Sequence, residues 1–139
     1  KRKIWHEEYQ SSDECFIKPD RYKKFNGFVC KQPNSGIINH APFGDFGYWC
    51  SEIVNFTNEW RLYICNGEIL DSGWYQGDDE EKPCPEIDLD LKGVYGALDI
   101  GETESGIQLV EFQHPFACGW YGENKEAYVK FLTEGYLKL

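Results

Sequence analysis

The fold class of this chain is decided by residues 60–70, WRLYICNGEIL. In the first half of this stretch, Trp60, Leu62 and Ile64 alternate with their neighbours, which is typical of a β-strand with one buried face. The Asn-Gly pair that follows is a preferred sequence for a two-residue hairpin turn, because both residues tolerate a positive φ. We therefore predict a β-hairpin at this point of the chain.

Short apolar segments on both sides of this hairpin continue the β pattern. Further candidate strands are residues 28–30, 47–54, 94–100 and 107–112. The turn-rich residues 101–106 join the last two strands into a second hairpin. Several short strands separated by Gly-rich turns predict a mainly β fold, either an antiparallel β-barrel or a sandwich, stabilised by disulfides.

Helix signals are few. Residues 19–25 are typical of one or two helical turns, with a proline at the start. In residues 127–139 the apolar spacing also suits a helix, whereas the alternation of Val129 with Phe131 and the presence of Gly135 favour a strand. We predict a strand there, and at most one short helix in the chain.

Length and composition fit one folded domain spanning residues 1–139. A chain of 139 residues with 41% hydrophobic side chains can bury a core, which excludes wholesale disorder. The formal net charge of −10 repels polyanions, so nucleic acid is disfavoured as a partner. Because no apolar stretch approaches the roughly 20 residues of a membrane helix, no membrane partner is expected.

The cysteines indicate disulfides rather than a metal site. Their number is even, none forms a Cys-x-x-Cys pair and the three histidines do not cluster with them, so neither a metal nor another cofactor is predicted. Disulfides form in oxidising compartments, so we expect a secreted, extracellular protein. The glycosylation sequon at Asn55 agrees with secretion, and the charged residues 77–83 lack the spacing of a calcium loop. The six cysteines are Cys15, Cys30, Cys50, Cys65, Cys84 and Cys118.

Two stretches share a pattern of cysteines and aromatic residues. Cys50 and Cys65 flank a segment whose second strand is rich in Trp and Tyr, and the Phe-Ala-Cys of residues 116–118 precedes a closing segment that begins with Ala-Tyr at 127–128. This framework resembles the family of the major Alternaria allergen and related fungal protein elicitors. The resemblance implies a compact β-barrel, secretion by a fungus and contact with a plant host. It also implies binding of proteins or small molecules, with no established catalytic centre.

The disulfide hypothesis follows this framework and pairs the cysteines as 50–65, 84–118 and 15–30. A bridge between Cys50 and Cys65 would cross-link adjacent strands and contribute about 3 kcal/mol in the chain-entropy model. The other two pairs depart from the family, because Cys30 is additional and Cys84 lies far upstream of Cys118.

An enzymatic alternative rests on His40, Glu59 and His114. Their order resembles that of the small guanyl-specific fungal ribonucleases, in which a His, a Glu and a late His share one sheet. The chemistry needs a base for the ribose 2′-hydroxyl, an acid for the leaving oxygen and a cation for the phosphate. Glu59, His114 and either Arg61 or Lys92 would fill these roles, with Arg61 on the same strand face as Glu59.

The tripeptide Gly-Trp-Tyr occurs twice, at residues 73–75 and 119–121, and we predict both copies in loops. Exposed Trp and Tyr side chains suit contact with a protein partner, because these residues dominate interface energies. They would also stack on sugar rings, which makes a carbohydrate-binding module a third hypothesis. The alternative is that they close the ends of a barrel as core. The candidate binding residues are Trp74, Tyr75, Trp120 and Tyr121.

The preferred hypothesis is therefore a secreted, glycosylated, allergen-like effector or elicitor with a role in fungal virulence. It would act by binding a host protein or a small ligand, without catalysis. A ribonuclease and a carbohydrate-binding module are the alternatives.

Overall fold

The computed structural model describes residues 2–5, 14–19, 26–30 and 47–138. The chain divides into two compact units, Lys1–Val54 and Asn55–Leu139, and each contains one four-stranded antiparallel sheet. The single domain expected for residues 1–139 stays a prediction, since each unit is described by itself.

The first unit contains four short strands in the order β1-β4-β2-β3. Strand prediction succeeded for β3 and in part for β4, whereas β1 and β2 were missed because they lack a clear alternation. Pro19, expected to begin a helix, ends β2, and residues 20–25 lie outside the described residues. Ile17 of β2 is fully buried in this unit. The strands are β1 (Arg2–Trp5), β2 (Cys15–Pro19), β3 (Phe28–Cys30) and β4 (Gly47–Ser51).

The second unit is formed by two hairpins that join through their inner strands, in the order β6-β5-β7-β8. The first hairpin turns at Asn66 and Gly67, whose φ angles of 51° and 86° confirm the predicted turn. The second turns at residues 104–105, within the predicted segment. The strands are β5 (Asn58–Cys65), β6 (Glu68–Gly77), β7 (Gly96–Thr103) and β8 (Gly106–Gln113).

One face of this second sheet, here called the apolar face, is a hydrophobic core. It consists of the alternating residues predicted on β5 together with two residues of β7. The long connection between β6 and β7 covers this core with Ile87, Leu91 and Val94. Lys82 fixes the start of that connection, because its carbonyl accepts a hydrogen bond from the Trp60 indole at 3.1 Å. The buried core residues are Trp60, Leu62, Ile64, Leu98 and Ile100.

The opposite face, here called the polar face, is covered at one end by a helix. A short 3-10 helix (Pro115–Ala117) follows β8, and α1 (Lys125–Tyr136) packs against β5 and β6. Phe131 of α1 is buried against Tyr63 and Ala97. The strands carry Glu59, Arg61, Tyr63, Asp99 and Glu111 on this face.

The strand predicted for residues 127–139 is wrong, since this segment is mostly α1. The Asn124 side chain caps the helix by accepting a hydrogen bond from the Ala127 N–H at 3.0 Å. Gly135, which argued against a helix, is required by packing: a Cβ there would lie 2.3 Å from the Pro115 ring. A close approach between two distant segments thus explains a residue that looked like a helix breaker.

Neither a barrel nor the predicted disulfides are found. In the described part of the chain both sheets are open, and no disulfide joins the described cysteines. Cys65, Cys84 and Cys118 are thiols. Cys84 packs on the apolar face and Cys118 on the polar face, so the sheet separates that predicted pair. The cysteines therefore give no argument for an oxidising compartment.

Candidate functional site

A row of charged side chains crosses the polar face. The strand register places Arg61 of β5 opposite Asp99 of β7, and Asp99 opposite Glu111 of β8. On the other side, Arg61 is opposite Gly73 of β6. Antiparallel partners have side chains on the same face, so the three charged groups are neighbours.

Arg61 and Asp99 form a buried bidentate ion pair. The Arg61 Nε and Nη2 atoms donate to Oδ1 and Oδ2 of Asp99, both at 2.7 Å. The two side chains are only 7% and 3% exposed. This hydrogen bonding raises the pKa of Arg61 above its ordinary value, against the opposing effect of burial. Arg61 is therefore a fixed cation in the middle of the sheet.

The ion pair leaves part of the Arg61 guanidinium unused. Its Nη1 atom donates to the Gly119 carbonyl at 3.4 Å, which brings the number of occupied donors to three. A guanidinium has five N–H donors. Within the described part of the chain, one N–H on each terminal nitrogen therefore has no hydrogen-bond partner. Two such donors form a fork that matches the oxygens of a phosphate or carboxylate.

Glu111 and Gln113 extend the row on β8. The Gln113 amide nitrogen donates to Asp99 Oδ2 and to Glu111 Oε2, both at 3.3 Å. The amide thus joins two carboxylates, and its carbonyl oxygen remains available as a ligand atom. Among the described residues, no group of three or more His, Cys, Asp or Glu side chains is placed to hold a metal by itself.

Two tyrosine rings flank the guanidinium. The Arg61 Cζ atom lies 5.3 Å from the ring centroids of both Tyr75 and Tyr121, which is a cation–π distance. Tyr75 is fixed by its hydroxyl, which donates to Glu59 Oε2 at 2.5 Å. Burial is the larger cause that raises the pKa of Tyr75, and this hydrogen bond is the second, so the phenol stays neutral.

The segment 119–122 is held against the polar face by Tyr63. The Tyr63 hydroxyl donates to the Gly119 carbonyl at 2.9 Å and accepts from the Tyr121 N–H at 2.7 Å. Burial raises the pKa of Tyr63 to about 12. Gly73 permits this contact, since a Cβ there would lie 2.1 Å from the Tyr121 carbonyl oxygen.

Asp71 anchors the same segment from β6. Its Oδ2 atom accepts hydrogen bonds from the Trp120 indole at 3.4 Å and from the Asn124 N–H at 3.1 Å. Because Asn124 is the helix cap, this carboxylate also fixes the start of α1.

The residues of the ribonuclease hypothesis do not assemble. Glu59 and Arg61 share a face as predicted, but His114 follows the far end of β8, where it is exposed and stacks on Phe116. His40 lies outside the described residues. Lys92 is exposed in the turn before β7.

The two Gly-Trp-Tyr copies have different environments. Residues 73–75 belong to β6, so their predicted loop is wrong. Trp74 packs on the apolar face and donates to Asn58 Oδ1 at 3.1 Å, while Trp120 stacks on Tyr128. Only the tyrosines, Tyr75 and Tyr121, meet at Arg61. Whether any of the four contacts a partner stays a prediction.

Two further predictions concern the surface. Asn55 is exposed, and the hydroxyl of Thr57 in its sequon donates to Glu102 Oε2 at 3.0 Å. Glycosylation stays a prediction. In the described part of the chain, no helix is long and apolar enough to cross a membrane.

The sequence reasoning missed Asp99, Glu111 and Gln113. A signal for the first was present, because Arg61 and Asp99 are charges of opposite sign, each with apolar residues directly before and after it in its strand. Charges in such positions are rarely buried unless they are paired.

A family model described as ATP-grasp domain, R2K clade family 2, matches residues 1–131. No curated protein and no solved structure gives a significant match to the chain. The family match overturns the resemblance to the Alternaria allergen and the elicitors. The family match also contradicts the hypothesis of a non-catalytic secreted effector. Neither the ribonuclease nor the carbohydrate-binding alternative is supported.

Proposed function

We propose that this protein binds ATP as part of a ligase-type enzyme, because the chain belongs to the family described as ATP-grasp domain, R2K clade family 2. The observation that carries the proposal is the family match over residues 1–131 of the 139. The geometry of the polar face supplies the candidate site.

Arg61 is the candidate phosphate ligand. It is held by Asp99 through two hydrogen bonds and retains a donor on each terminal nitrogen. Arginine forks bind phosphate oxygens with two parallel hydrogen bonds, and burial strengthens such charge-assisted bonds. Negative charge on a phosphoryl group during transfer is stabilised best by a donor that is already in position. The ion pair provides that preorganisation.

Glu111 and Gln113 are the candidate ligands for the Mg²⁺ that accompanies ATP. Mg²⁺ in nucleotide sites is bound by one or two protein carboxylates together with phosphates and water, and a three-residue cluster is not required. The donor set fits: Glu111 supplies a carboxylate and Gln113 a carbonyl oxygen, while both oxygens of Asp99 are taken by Arg61. Bound Mg²⁺ would neutralise part of the phosphate charge.

The charge balance of the site agrees with a metal-bound nucleotide. Glu59, Asp99 and Glu111 carry three negative charges around the single positive charge of Arg61. Free triphosphate would be repelled by this excess, whereas the magnesium complex would be repelled less. We therefore expect ATP binding to require Mg²⁺.

The test is calorimetric titration of the full chain with ATP in the presence of Mg²⁺. Replacing Glu111 by Gln removes one charged ligand, so we expect at least about tenfold weaker binding, the loss of one charge-assisted bond. Glu104→Gln is the matched control, because Glu104 is exposed in the turn between β7 and β8 and the charge change is the same. Absence of ATP binding by the unmodified chain would refute the proposal, and equal affinity in Glu111→Gln would refute the site.

A further inference from the structure

The two tyrosines beside Arg61 are held in different ways. The Tyr75 ring is half-buried, and its hydroxyl is bound to Glu59 at 2.5 Å. Tyr121 as a residue is 48% exposed, and within the described part of the chain its hydroxyl has no hydrogen-bond partner. One ring is therefore fixed, whereas the other is held only by ring contacts.

The backbone of Tyr121, in contrast to its ring, is firmly placed. Its N–H donates to the buried Tyr63 hydroxyl at 2.7 Å. Its carbonyl packs directly on Gly73, where even a methyl group would not fit. The neighbouring Gly119 carbonyl accepts from both Tyr63 and Arg61. A motion at this position must therefore be a rotation of the side chain about a fixed main chain.

Such a rotation matters because Arg61 is covered. Its side chain is only 7% exposed, yet two of its donors have no hydrogen-bond partner among the described residues. Besides Asp99, the groups that contact its guanidinium include the Tyr75 ring, the Tyr121 ring and the Gly119 carbonyl. Of these three, the Tyr121 ring alone can leave without breaking a hydrogen bond.

We propose that the Tyr121 side chain controls the access of an oxyanion to Arg61. The closed position is the one observed, with the ring 5.4 Å from Tyr75 and 5.3 Å from the guanidinium carbon. In the open position the Tyr121 ring would lose both of these contacts, and the two unoccupied N–H donors of Arg61 would be exposed. In calling the oxyanion an ATP phosphate, this inference rests on the proposed function.

The first test measures access to Arg61 without any nucleotide. Phenylglyoxal modifies arginine side chains, and mass spectrometry of peptides gives the rate at Arg61 relative to free arginine. If the open state is populated at 10% or less, Tyr121→Ala should be modified at least about tenfold faster than the unmodified chain. Tyr121→Phe is the matched control, because it keeps the ring and loses only a hydroxyl without a partner.

Two outcomes would overturn the inference. One is an equal rate in Tyr121→Ala and the unmodified chain, and the other is a Tyr121→Phe rate as fast as that of Tyr121→Ala. The reactivity of Cys65 toward a thiol reagent reports on folding in the same samples. Cys65 is 5% exposed, so its thiol should stay unreactive in every folded variant. If Tyr121→Ala unfolds, the modification rate is measured in Tyr121→Ser and Tyr121→Gly instead. The same two outcomes would then overturn the inference.

The second test uses ATP with Mg²⁺ in stopped-flow tryptophan fluorescence. Tyr121→Ala removes the ring that covers Arg61, so the association rate constant for ATP should rise about tenfold. In Tyr121→Phe, which keeps the ring, it should be unchanged. An unchanged association rate constant in Tyr121→Ala would contradict the inference. Absence of ATP binding in every variant would refute the proposed function instead, and the modification rates would still decide whether Tyr121 covers Arg61.

Discussion

The two faces of the second sheet are built from alternate residues of the same strands, yet they differ in kind. On the apolar face, Trp60, Leu62 and Ile64 of β5 pack into a hydrophobic core. On the polar face, the residues between them are Arg61 and Tyr63, which make directed hydrogen bonds. These residues are buried on both faces, on the first by packing and on the second by paired charges and hydroxyls.

The difference indicates that the polar face is not an optimum for stability. Desolvating an ion pair costs several kcal/mol per ion, and apolar residues of similar size are often at least as stabilising. A sheet that needed only a second core would therefore be served by apolar residues at Arg61 and Asp99. Their presence, with two donors that have no partner among the described residues, is what the proposed phosphate ligand would explain.

The largest effect is expected when the ion pair is broken on one side. Asp99→Asn removes the negative charge and leaves the buried Arg61 cation uncompensated. The free energy of unfolding should fall by about 3–5 kcal/mol. Urea denaturation followed by tryptophan fluorescence measures this change, and a loss below about 1 kcal/mol would show that Arg61 is solvated in solution.

The double variant Arg61→Met with Asp99→Leu separates stability from function in the same experiment. Because both charges are replaced by apolar groups, stability should return to that of the unmodified chain or exceed it by about 1–4 kcal/mol. ATP binding in the presence of Mg²⁺ should be lost. A stable double variant that still binds ATP would mean that the phosphate site lies elsewhere.

A smaller or equal loss is expected on the apolar face. Leu62 is 2% exposed in the core, so Leu62→Ala should lower the free energy of unfolding by about 2–5 kcal/mol through lost burial and the cavity left behind. Affinity for ATP should be unchanged in conditions where the variant is folded. Weaker ATP binding there would show that the two faces are energetically coupled.

The smallest effect concerns Tyr63 and depends on pH. The fold raises the pKa of Tyr63 from 10.0 to about 12, mainly by burial. The resulting stabilisation is complete below pH 10 and is lost as the pH rises from 10 to about 12. Tyr63→Phe should cost about 1–3 kcal/mol near pH 8, because it leaves the partly buried Tyr121 N–H without its acceptor and removes one of the two hydrogen bonds to the Gly119 carbonyl.

The variant should also flatten the alkaline loss of stability without abolishing it, since the pKa of Tyr75 is raised as well. Urea unfolding at a series of pH values between 8 and about 12 gives the comparison. An identical alkaline slope in Tyr63→Phe and the unmodified chain would contradict the raised pKa of Tyr63.

Local patterns predicted the second sheet well. The alternation of β5 and the Asn66–Gly67 turn depend on neighbouring residues only, and both are confirmed. The helix α1 was missed because Gly135 was interpreted as evidence against a helix. The reason for a glycine there is its close contact with Pro115, some twenty positions away. No local pattern contains that contact.

Two residues of the candidate site were named from the sequence, although for a ribonuclease, and the others were missed for a related reason. Glu59 and Arg61 were named together because they lie two residues apart on one strand. Asp99 and Glu111 reach Arg61 only through the pairing of β5 with β7 and of β7 with β8. The cysteine pattern misled the assignment, because an even number of cysteines is compatible with buried thiols as well as with disulfides.

The position of β5 and β7 at the centre of the sheet has a consequence for local unfolding. Each is hydrogen-bonded to a neighbour on both sides, so its amides exchange with solvent only when the whole sheet opens. The amides of Arg61 and Asp99 should thus be among the slowest to exchange. The segment 119–122 lies outside the sheet and is held to it by side-chain hydrogen bonds from Arg61, Tyr63 and Asp71. The buried cation is therefore a rigid reference point, beside which the exposed Tyr121 side chain can rotate.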